Sequence, residues 1–432
     1  MPPNILFLLV DCLRADRVVG ARTAVTPVLD GLRQHGATFS EVIASASSTT
    51  PCVASLFTGL YPFAHGLQAL SGLRLRPGVE TLAERLAALG YHTLAEATGP
   101  LSTQTGIQRG FESFHSRDRQ EYLSGRWGDR LIERLAGGAL PEPWFLFLHV
   151  WELHLPRQVP PGFNSRRYGA TLYDRALSAL DGRLGQVLAA AGPDTLVLVH
   201  GDHGEGLMDR PWDNWLMALW QPFKSRLPAG MLRAVYGRMT GLFKRGRRTP
   251  KFSGMGHAFE LFDYLIRVPL ILRGPGVPEG VWVQEQARQV DILPTLIELA
   301  AGRQDWAALH GRSLAPALAG AQLPVASAYS EEHGVATDAH SAGKVSLRRP
   351  PYKLVCSGDL NPGSAALFDL AADPDETRSV AAQHPAMVDG LLAEVAALRA
   401  GSPTGPAAAP ELMDDEEMEV ISARLRELGY ME

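Results

Sequence analysis

Short, unbroken apolar runs dominate the hydrophobic pattern of this chain. Asn4 to Val10 (NILFLLV) is the first and stops at Asp11; Trp144 to Val150 (WFLFLHV), Thr195 to His200 (TLVLVH) and Pro269 to Leu272 (PLIL) repeat it. A run of this length bounded by polar residues reads as a strand buried on both faces, as in a parallel sheet. Between the runs, helical spacing appears over Val79 to Leu89, within Glu121 to Leu135, from Tyr168 to Ala191 and from Ile292 to Ala301. Strands alternating with helices predict an α/β fold, a mostly parallel central sheet with helices on both faces.

From about Pro324 the rhythm changes. Shorter runs at Ala326 to Glu331, Lys344 to Arg348, Tyr352 to Cys356 and Ala366 to Leu370 precede one helix from Pro385 to Arg399. The pattern predicts a catalytic α/β domain over 1–323 and a smaller C-terminal α+β subdomain over 324–400. Residues 401–432 read as a Pro/Ala/Gly linker, an acidic stretch at Asp414 to Glu417, and an amphipathic tail helix.

Composition narrows the classes. The net charge of -5 argues against a general nucleic-acid binder, so no nucleic-acid partner is expected. Cys12, Cys52 and Cys356 are too few and scattered for a disulfide framework or a thiolate zinc site, which fits a reducing cytoplasm. The first apolar run lacks a basic flank and a small-residue cleavage pattern, and no window reaches the roughly 18 apolar residues of a membrane span. A cytoplasmic protein is expected, with peripheral membrane contact as an alternative; the oligomeric state stays open.

In parallel sheets, ligands bind beyond the carboxyl ends of the strands. Asp11 and the loop Gly201-Asp202-His203-Gly204-Glu205-Gly206 both follow strands directly. Asp11, Asp202 and His203 are oxygen and imidazole donors which, with a hydroxyl, suit one divalent metal. Thr49 supplies the hydroxyl: in Ser48 to Gly59, Pro51 suits the first turn of a helix, placing Thr49 just before it, where unpaired N–H groups attract an anion. A metal there would lower the pKa of Thr49 and stabilise an oxyanion. The bland alternative is that each Asp merely caps a turn or helix. His154 is a candidate general acid. His149, inside its apolar run, reads as a satisfied core histidine, and Cys12 as a packed thiol ahead of a soft metal ligand.

The order of these motifs resembles the sulfatase family of the alkaline phosphatase superfamily. NILFLLVDCLRAD is similar to that family's first strand and metal-binding Asp, and TTPCVASLFTGLYPFAHG to its nucleophile signature. PWFLFLHVWELHLP is similar to the strand that delivers an active-site His, GDHGEG to the second metal motif, and LIRVPLILRGPGV and GRSLAPAL follow in family order. The resemblance implies an alkaline-phosphatase-like fold, with Asp11 and Asp202 as metal ligands and Thr49 as nucleophile. It also implies a ligand role for His203, where many sulfatases carry Asn, and an oxygen-binding role for His257, where many use Lys. Cys12 stands where relatives often have a second Asp. One carboxylate fewer and one imidazole more shift the expected metal to manganese or zinc, with calcium or magnesium as alternatives.

The nucleophile position departs from the family pattern. Formylglycine formation needs Cys or Ser, then Pro two residues on and Arg two further; this chain has Thr49, Pro51 and Val53. No formylglycine is expected. A Thr nucleophile resembles the phosphodiesterases and phospho-group transferases of the superfamily, which pass through a phosphothreonine. The resemblance therefore implies an anionic ester substrate, a phosphodiester or phosphomonoester ahead of a sulfate ester. A transferase and a non-catalytic anion-binding or membrane-binding module are the rivals. Some forty residues, about 208–255, also stand where relatives have a short connection. Over 212–252 they interleave Trp212, Trp215 and Trp220 with Lys224, Arg226 and Arg247, which suits contact with anionic lipid or a lid over an anionic substrate.

Overall fold

Strand β1, Asn4–Val10, lies in the middle of the main sheet of this computed structural model. The structure describes residues 2–20, 22–207, 257–304, 308–335, 343–404 and 411–428. The basic aromatic insertion, with the lipid or lid contact expected of it, lies outside the described residues. The other strands up to the C-terminal region are β2 (Ala37–Ile43), β3 (Leu73–Arg74), β4 (His92–Ala97), β5 (Ser113–Ser116) and β6 (Trp144–Val150). They continue with β7 (Thr195–Gly201), β8 (Arg267–Arg273), β9 (Val281–Val283) and β10 (Ala287–Arg288). The sheet order is β10-β2-β8-β7-β1-β6-β4-β5, with β9 also on β2.

Both faces of β1 are buried because its residues divide between two cores. Ile5, Phe7 and Leu9 join one cluster with Phe145, Phe147, Leu196 and Leu198. Leu6, Leu8 and Val10 join the other, with Leu146, Leu148, Val197 and Val199. A strand alternates sides at every residue, so a run apolar at each position is what a two-sided environment requires. Helices Thr49–Thr58 and Ile292–Ala301 cover the first face; Arg126–Ala136 and Leu172–Ala191 cover the second. Phe147 touches both Phe7 and Phe57, with ring centroids 5.5 Å and 4.8 Å away. Truncating it to Ala would cost about 3–5 kcal/mol.

β7, β1 and β6 run parallel, as the unbroken runs predict, and β4 and β5 continue the parallel order beyond β6. β8, which contains the PLIL run, is antiparallel to both β7 and β2. Gly204 N–H donates to Leu265 O at 2.6 Å, which sets the start of β8 beside the end of β7, so β8 runs back along it. β2 and β4 were not foreseen. Their sequences, ATFSEVI and HTLAEA, carry polar residues that the sheet nonetheless buries, among them Thr38 and Thr93.

Beyond Pro324, β11 (Ala328–Glu332), β12 (Lys344–Arg349), β13 (Tyr352–Ser357) and β14 (Ala366–Asp369) form an antiparallel sheet in that order, followed by helix Pro385–Ala400. Its apolar residues Tyr329, Leu347 and Leu354 belong to the same core as Ile5 and Phe7. Two hydrogen bonds tie its edge to the loop after β2: Glu331 N–H to Ser45 O at 2.9 Å and Ser330 Oγ to Ala44 O at 2.6 Å. In the tail, β15 (Glu411–Leu412) pairs with β3, and helix Asp415–Leu428 seats Ile421, Leu425 and Leu428 against Trp151. Asp414 and Glu417 of the acidic stretch pair with Arg74. Among the described residues, no helix is long and apolar enough to cross a membrane.

Candidate active site

Three adjacent parallel strands end at one edge, and each delivers a polar side chain there. Leu9 of β1 sits in register with His149 of β6 and His200 of β7. Two positions beyond each of β1's partners the chain turns, so Asp11, His149 and Asp202 converge within 4.8 Å ligand-to-ligand. All three are fully buried. Burial, reinforced by neighbouring Asp202, holds the Asp11 carboxyl well above the usual carboxylate range. Burial likewise pushes the His149 imidazole down to about 4, so it is neutral.

Helix Thr49–Thr58 brings the hydroxyl. Ser48, in extended conformation, is its N-cap; Pro51 sits in its first turn, and Gly59 closes it at φ 65°, where a left-handed residue is needed. Thr49 thus opens the helix rather than preceding it, a shift of one residue from expectation. Its Oγ1 donates to Asp11 Oδ2 at 3.3 Å and lies 3.2 Å from His203 Nε2. His203 Nδ1 faces Gly204 O at 2.8 Å and therefore carries that nitrogen's proton, which leaves Nε2 with its lone pair toward Thr49. Burial keeps this imidazole's pKa below its ordinary value.

The donor set fits a cation. Asp11 Oδ1, Asp202 Oδ2 and His149 Nε2 are buried without a hydrogen-bond partner among the described residues. His149 Nδ1 faces Thr98 O at 3.2 Å, so its Nε2 points a lone pair toward Asp11 Oδ2, 3.7 Å away. Two carboxylates and a neutral imidazole presenting only lone pairs to one another are costly to bury unless something positive stands between them. Asp11, Asp202 and His149, with His203 and Thr49 beside them, are the residues that would hold a divalent metal. The Cys12 amide and the His203 amide both donate to Asp202 Oδ1, at 3.0 Å and 2.7 Å, which fixes that carboxylate and turns its other oxygen inward.

Beyond His203 stands a second set. The His257 ring centroid is 4.3 Å from that of His203 and 5.2 Å from that of His154. His257 Nδ1 lies 3.4 Å from Glu205 Oε2, and Cys12 Sγ lies 3.6 Å from the same oxygen. Burial opposes a charge on His257, yet Glu205 overrides it and raises the imidazole to about 9. Burial alone would raise Glu205; His257 reverses that and draws the carboxyl down to about 2. His154 stacks on Trp151 at 3.9 Å and directs Nδ1 to Leu155 O at 2.6 Å. Burial, then neighbouring His257, pushes its imidazole well below the ordinary value, so it stays neutral.

The structure therefore gathers every expected residue, Asp11, Thr49, His154, Asp202, His203 and His257, at one strand edge. It changes the reading of His149, whose second nitrogen faces the two carboxylates instead of being satisfied in the core. The available signal was its place near the carboxyl end of a buried strand, the same place that singles out Asp11. Glu205 was missed altogether, although it lies within the GDHGEG loop. Val53, at the position of the formylglycine-site Arg, is fully buried in the core, so that side of Thr49 carries no basic group from position 53.

Known proteins share this fold. The sequence description of the family named Sulfatase matches residues 3–302. Arylsulfatase K of Danio rerio is 31% identical over 140 residues, which cover 31% of this chain and 26% of that protein. Arylsulfatase A of Bos taurus is 26% identical over 388 residues, covering 74% of this chain and 68% of the relative. The match to the human arylsulfatase D covers 43% of that protein, so this chain spans less than half of several curated relatives. A solved putative sulfatase from Bacteroides thetaiotaomicron superposes with a TM-score of 0.68 at 20% identity, over 93% of each chain. The phosphonate monoester hydrolase of Silicibacter pomeroyi superposes at 0.67 and 19% identity, over 93% of this chain and 96% of that one. Enzymes of the sulfatase family are metal-dependent, and Asp11, His149 and Asp202 are candidate metal-binding residues here. This chain belongs to the sulfatase family, within the alkaline-phosphatase-like superfamily.

Proposed function

We propose that this protein hydrolyses phosphate esters, diesters or monoesters, through a covalent intermediate on Thr49. The observation that carries the reading is the Thr49 hydroxyl at a helix N-terminus, 3.3 Å from Asp11 Oδ2 and 3.2 Å from His203 Nε2. When bound at Asp11, His149 and Asp202, a divalent metal supplies Lewis acidity to Thr49 and to the transferring group. Manganese or zinc suits the imidazole content of the site better than calcium or magnesium.

In the first half-reaction the Thr49 oxygen forms a bond to phosphorus while the bond to the ester oxygen breaks. The Thr49 proton passes to Asp11 or to His203 Nε2, the two acceptors in reach. The departing alkoxide takes its proton from the His257 imidazolium, while neutral His154, its Nδ1 held by Leu155 O, lines the same side. In the second half-reaction water attacks phosphorus and gives a proton to the His257 imidazole, the phosphorus–Thr49 bond breaks, and the Thr49 oxygen takes back the proton held by Asp11 or His203. The positive end of helix Thr49–Thr58 favours the anion throughout.

Sulfate transfer through formylglycine is disfavoured, since Thr49 cannot yield the aldehyde and Val53 replaces the basic residue. The phosphonate monoester hydrolases among the structural neighbours support phosphorus chemistry on this fold. Initial rates on bis-nitrophenyl phosphate, nitrophenyl phosphate and nitrophenyl sulfate, with manganese, zinc or calcium, test the reading. Phosphate-ester turnover is expected, reduced by about 10³-fold or more in Thr49→Ala. Turnover of the sulfate alone would overturn the substrate class, and no turnover of any ester would favour a binding module.

A further inference from the structure

We propose that Arg424, on helix Asp415–Leu428, is a positioning residue for the imidazole of His149. The proposal rests on His149 serving as a metal ligand, and not on Thr49 being the nucleophile. Ile421, Arg424, Leu425 and Leu428 recur at helical spacing along one face, and the three apolar members are buried against Trp151. Arg424 brings that face onto two main-chain oxygens: Nε donates to Gly99 O at 2.6 Å and Nη2 to Arg117 O at 3.2 Å. Gly99 lies two residues beyond β4, and Arg117 follows β5 directly. One planar guanidinium thus spans the carboxyl ends of two strands that supply none of the metal donors.

Both contacts lead to His149. Its Nδ1 faces the carbonyl of Thr98, the neighbour of Gly99, at 3.2 Å, and Arg117 Nη2 donates to His149 O. Arg117 is therefore held at its carbonyl by Arg424 and holds His149 with its side chain, which also lies 3.6 Å over the Trp127 ring. What this arrangement protects is a tautomer. A proton kept on Nδ1 by Thr98 O leaves the Nε2 lone pair for a cation; a shift of the 98–99 segment would free that proton to move to Nε2, which then turns an N–H toward the two carboxylates.

Trp151 supports the same segment from the other side. Gly99 has φ 66°, and a Cβ built on it would lie 2.3 Å from Trp151 Cζ3, so the indole rests directly on the Gly99 backbone. Fastening the helix is a task other contacts already perform. Arg74 pairs with Asp414 and Glu417, β15 pairs with β3, and Arg119 Nη1 donates to Glu427 O at 3.0 Å. Arg424 instead grips the two residues that adjoin the His149 contacts.

Metal affinity tests the proposal without any assay of turnover. The metal-stripped full chain is titrated calorimetrically with manganese(II) and with zinc(II), and thermal unfolding is followed in parallel. Arg424→Met keeps the apolar stem and should weaken the tighter-binding ion by about tenfold, the low end of the effect of losing an outer partner of a ligating histidine. Arg424→Lys keeps the charge without the planar fork and should weaken it less; this variant carries the comparison if the first does not fold. Arg74→Gln, which loosens the same helix near its other end, should leave the affinity unchanged. Equal affinities in the wild type and the Arg424 variants, or an equal loss in Arg74→Gln, would overturn the proposal alone. No binding of either ion by the wild-type chain would overturn the reading of His149 as a ligand, and the proposal with it.

Discussion

Two groups of buried charges in this molecule look alike in composition and opposite in arrangement. Where the two sheets meet, Lys353 Nζ lies 2.8 Å from both Asp263 Oδ1 and Glu376 Oε1. Arg348 reaches Glu41 Oε2 at 2.7 Å and Asp263 Oδ2 at 3.1 Å, so acids and bases alternate. Around Thr49, by contrast, Asp11 and Asp202 face a neutral His149, with one atom of each left unpartnered. The first arrangement closes on itself and joins the antiparallel sheet to β2 and the segment before β8. The second is complete only when something from outside the chain enters. Buried charge by itself is therefore no sign of function; the direction in which its lone pairs face is.

That contrast can be broken from either side. The largest effect is expected at the open group: Asp11→Asn should lower ester turnover on the order of 10³-fold by removing a metal ligand. The same change should raise the stability of the metal-free protein at neutral pH, by about 1 kcal/mol, because burial and neighbouring Asp202 disfavour the Asp11 carboxylate that the unfolded chain carries. Thermal unfolding in the presence of chelator reads this, and a loss of stability would erase the distinction between the groups. At the closed group the signs reverse. Lys353→Met should cost about 3–5 kcal/mol in denaturant unfolding, since two carboxylates lose their ammonium. Turnover by the protein that remains folded should be little changed.

Smaller effects are expected at residues that hold the site from outside. Trp151 stacks on His154 at 3.9 Å while the tail helix packs on it through Ile421, Leu425 and Leu428. Trp151→Leu should lower kcat by about tenfold, on the scale of ~1 kcal/mol for a lost aromatic contact, most clearly for esters with poor leaving groups. Glu332, on the antiparallel sheet, accepts from Ser47 N–H at 3.1 Å, Ser47 Oγ at 3.0 Å and Ser48 Oγ at 3.2 Å, directly before Thr49. Glu332→Gln should weaken this brace by ~1 kcal/mol, read as a severalfold fall in kcat at unchanged KM.

How much of this was legible in the sequence follows from where each signal resides. β1, β6 and β7 were legible because strands covered on both faces must be apolar at every position. Asp11, Thr49, Asp202 and His203 were legible because each stands where a strand or turn ends. β2 and β4 were not, since burial of Thr38 and Thr93 is decided by neighbouring strands rather than by their own pattern. The direction of β8 depends on which edge the chain enters from, and no local residue encodes that. His149 looked like core because its strand neighbours are core; its role depends on one nitrogen being occupied by Thr98 O. Glu205 acquires meaning only when Cys12 and His257, 193 and 52 residues away along the chain by their numbering, are brought beside it.

The most direct test of the account is chemical. The metal-loaded protein is mixed with bis-nitrophenyl phosphate, quenched in acid within the first turnovers, digested, and read by mass spectrometry. One nitrophenyl phosphoryl ester is expected, on the peptide that contains Thr49 and on Thr49 itself. Turnover without modification of that peptide, or a modification that persists in Thr49→Ala, would contradict it.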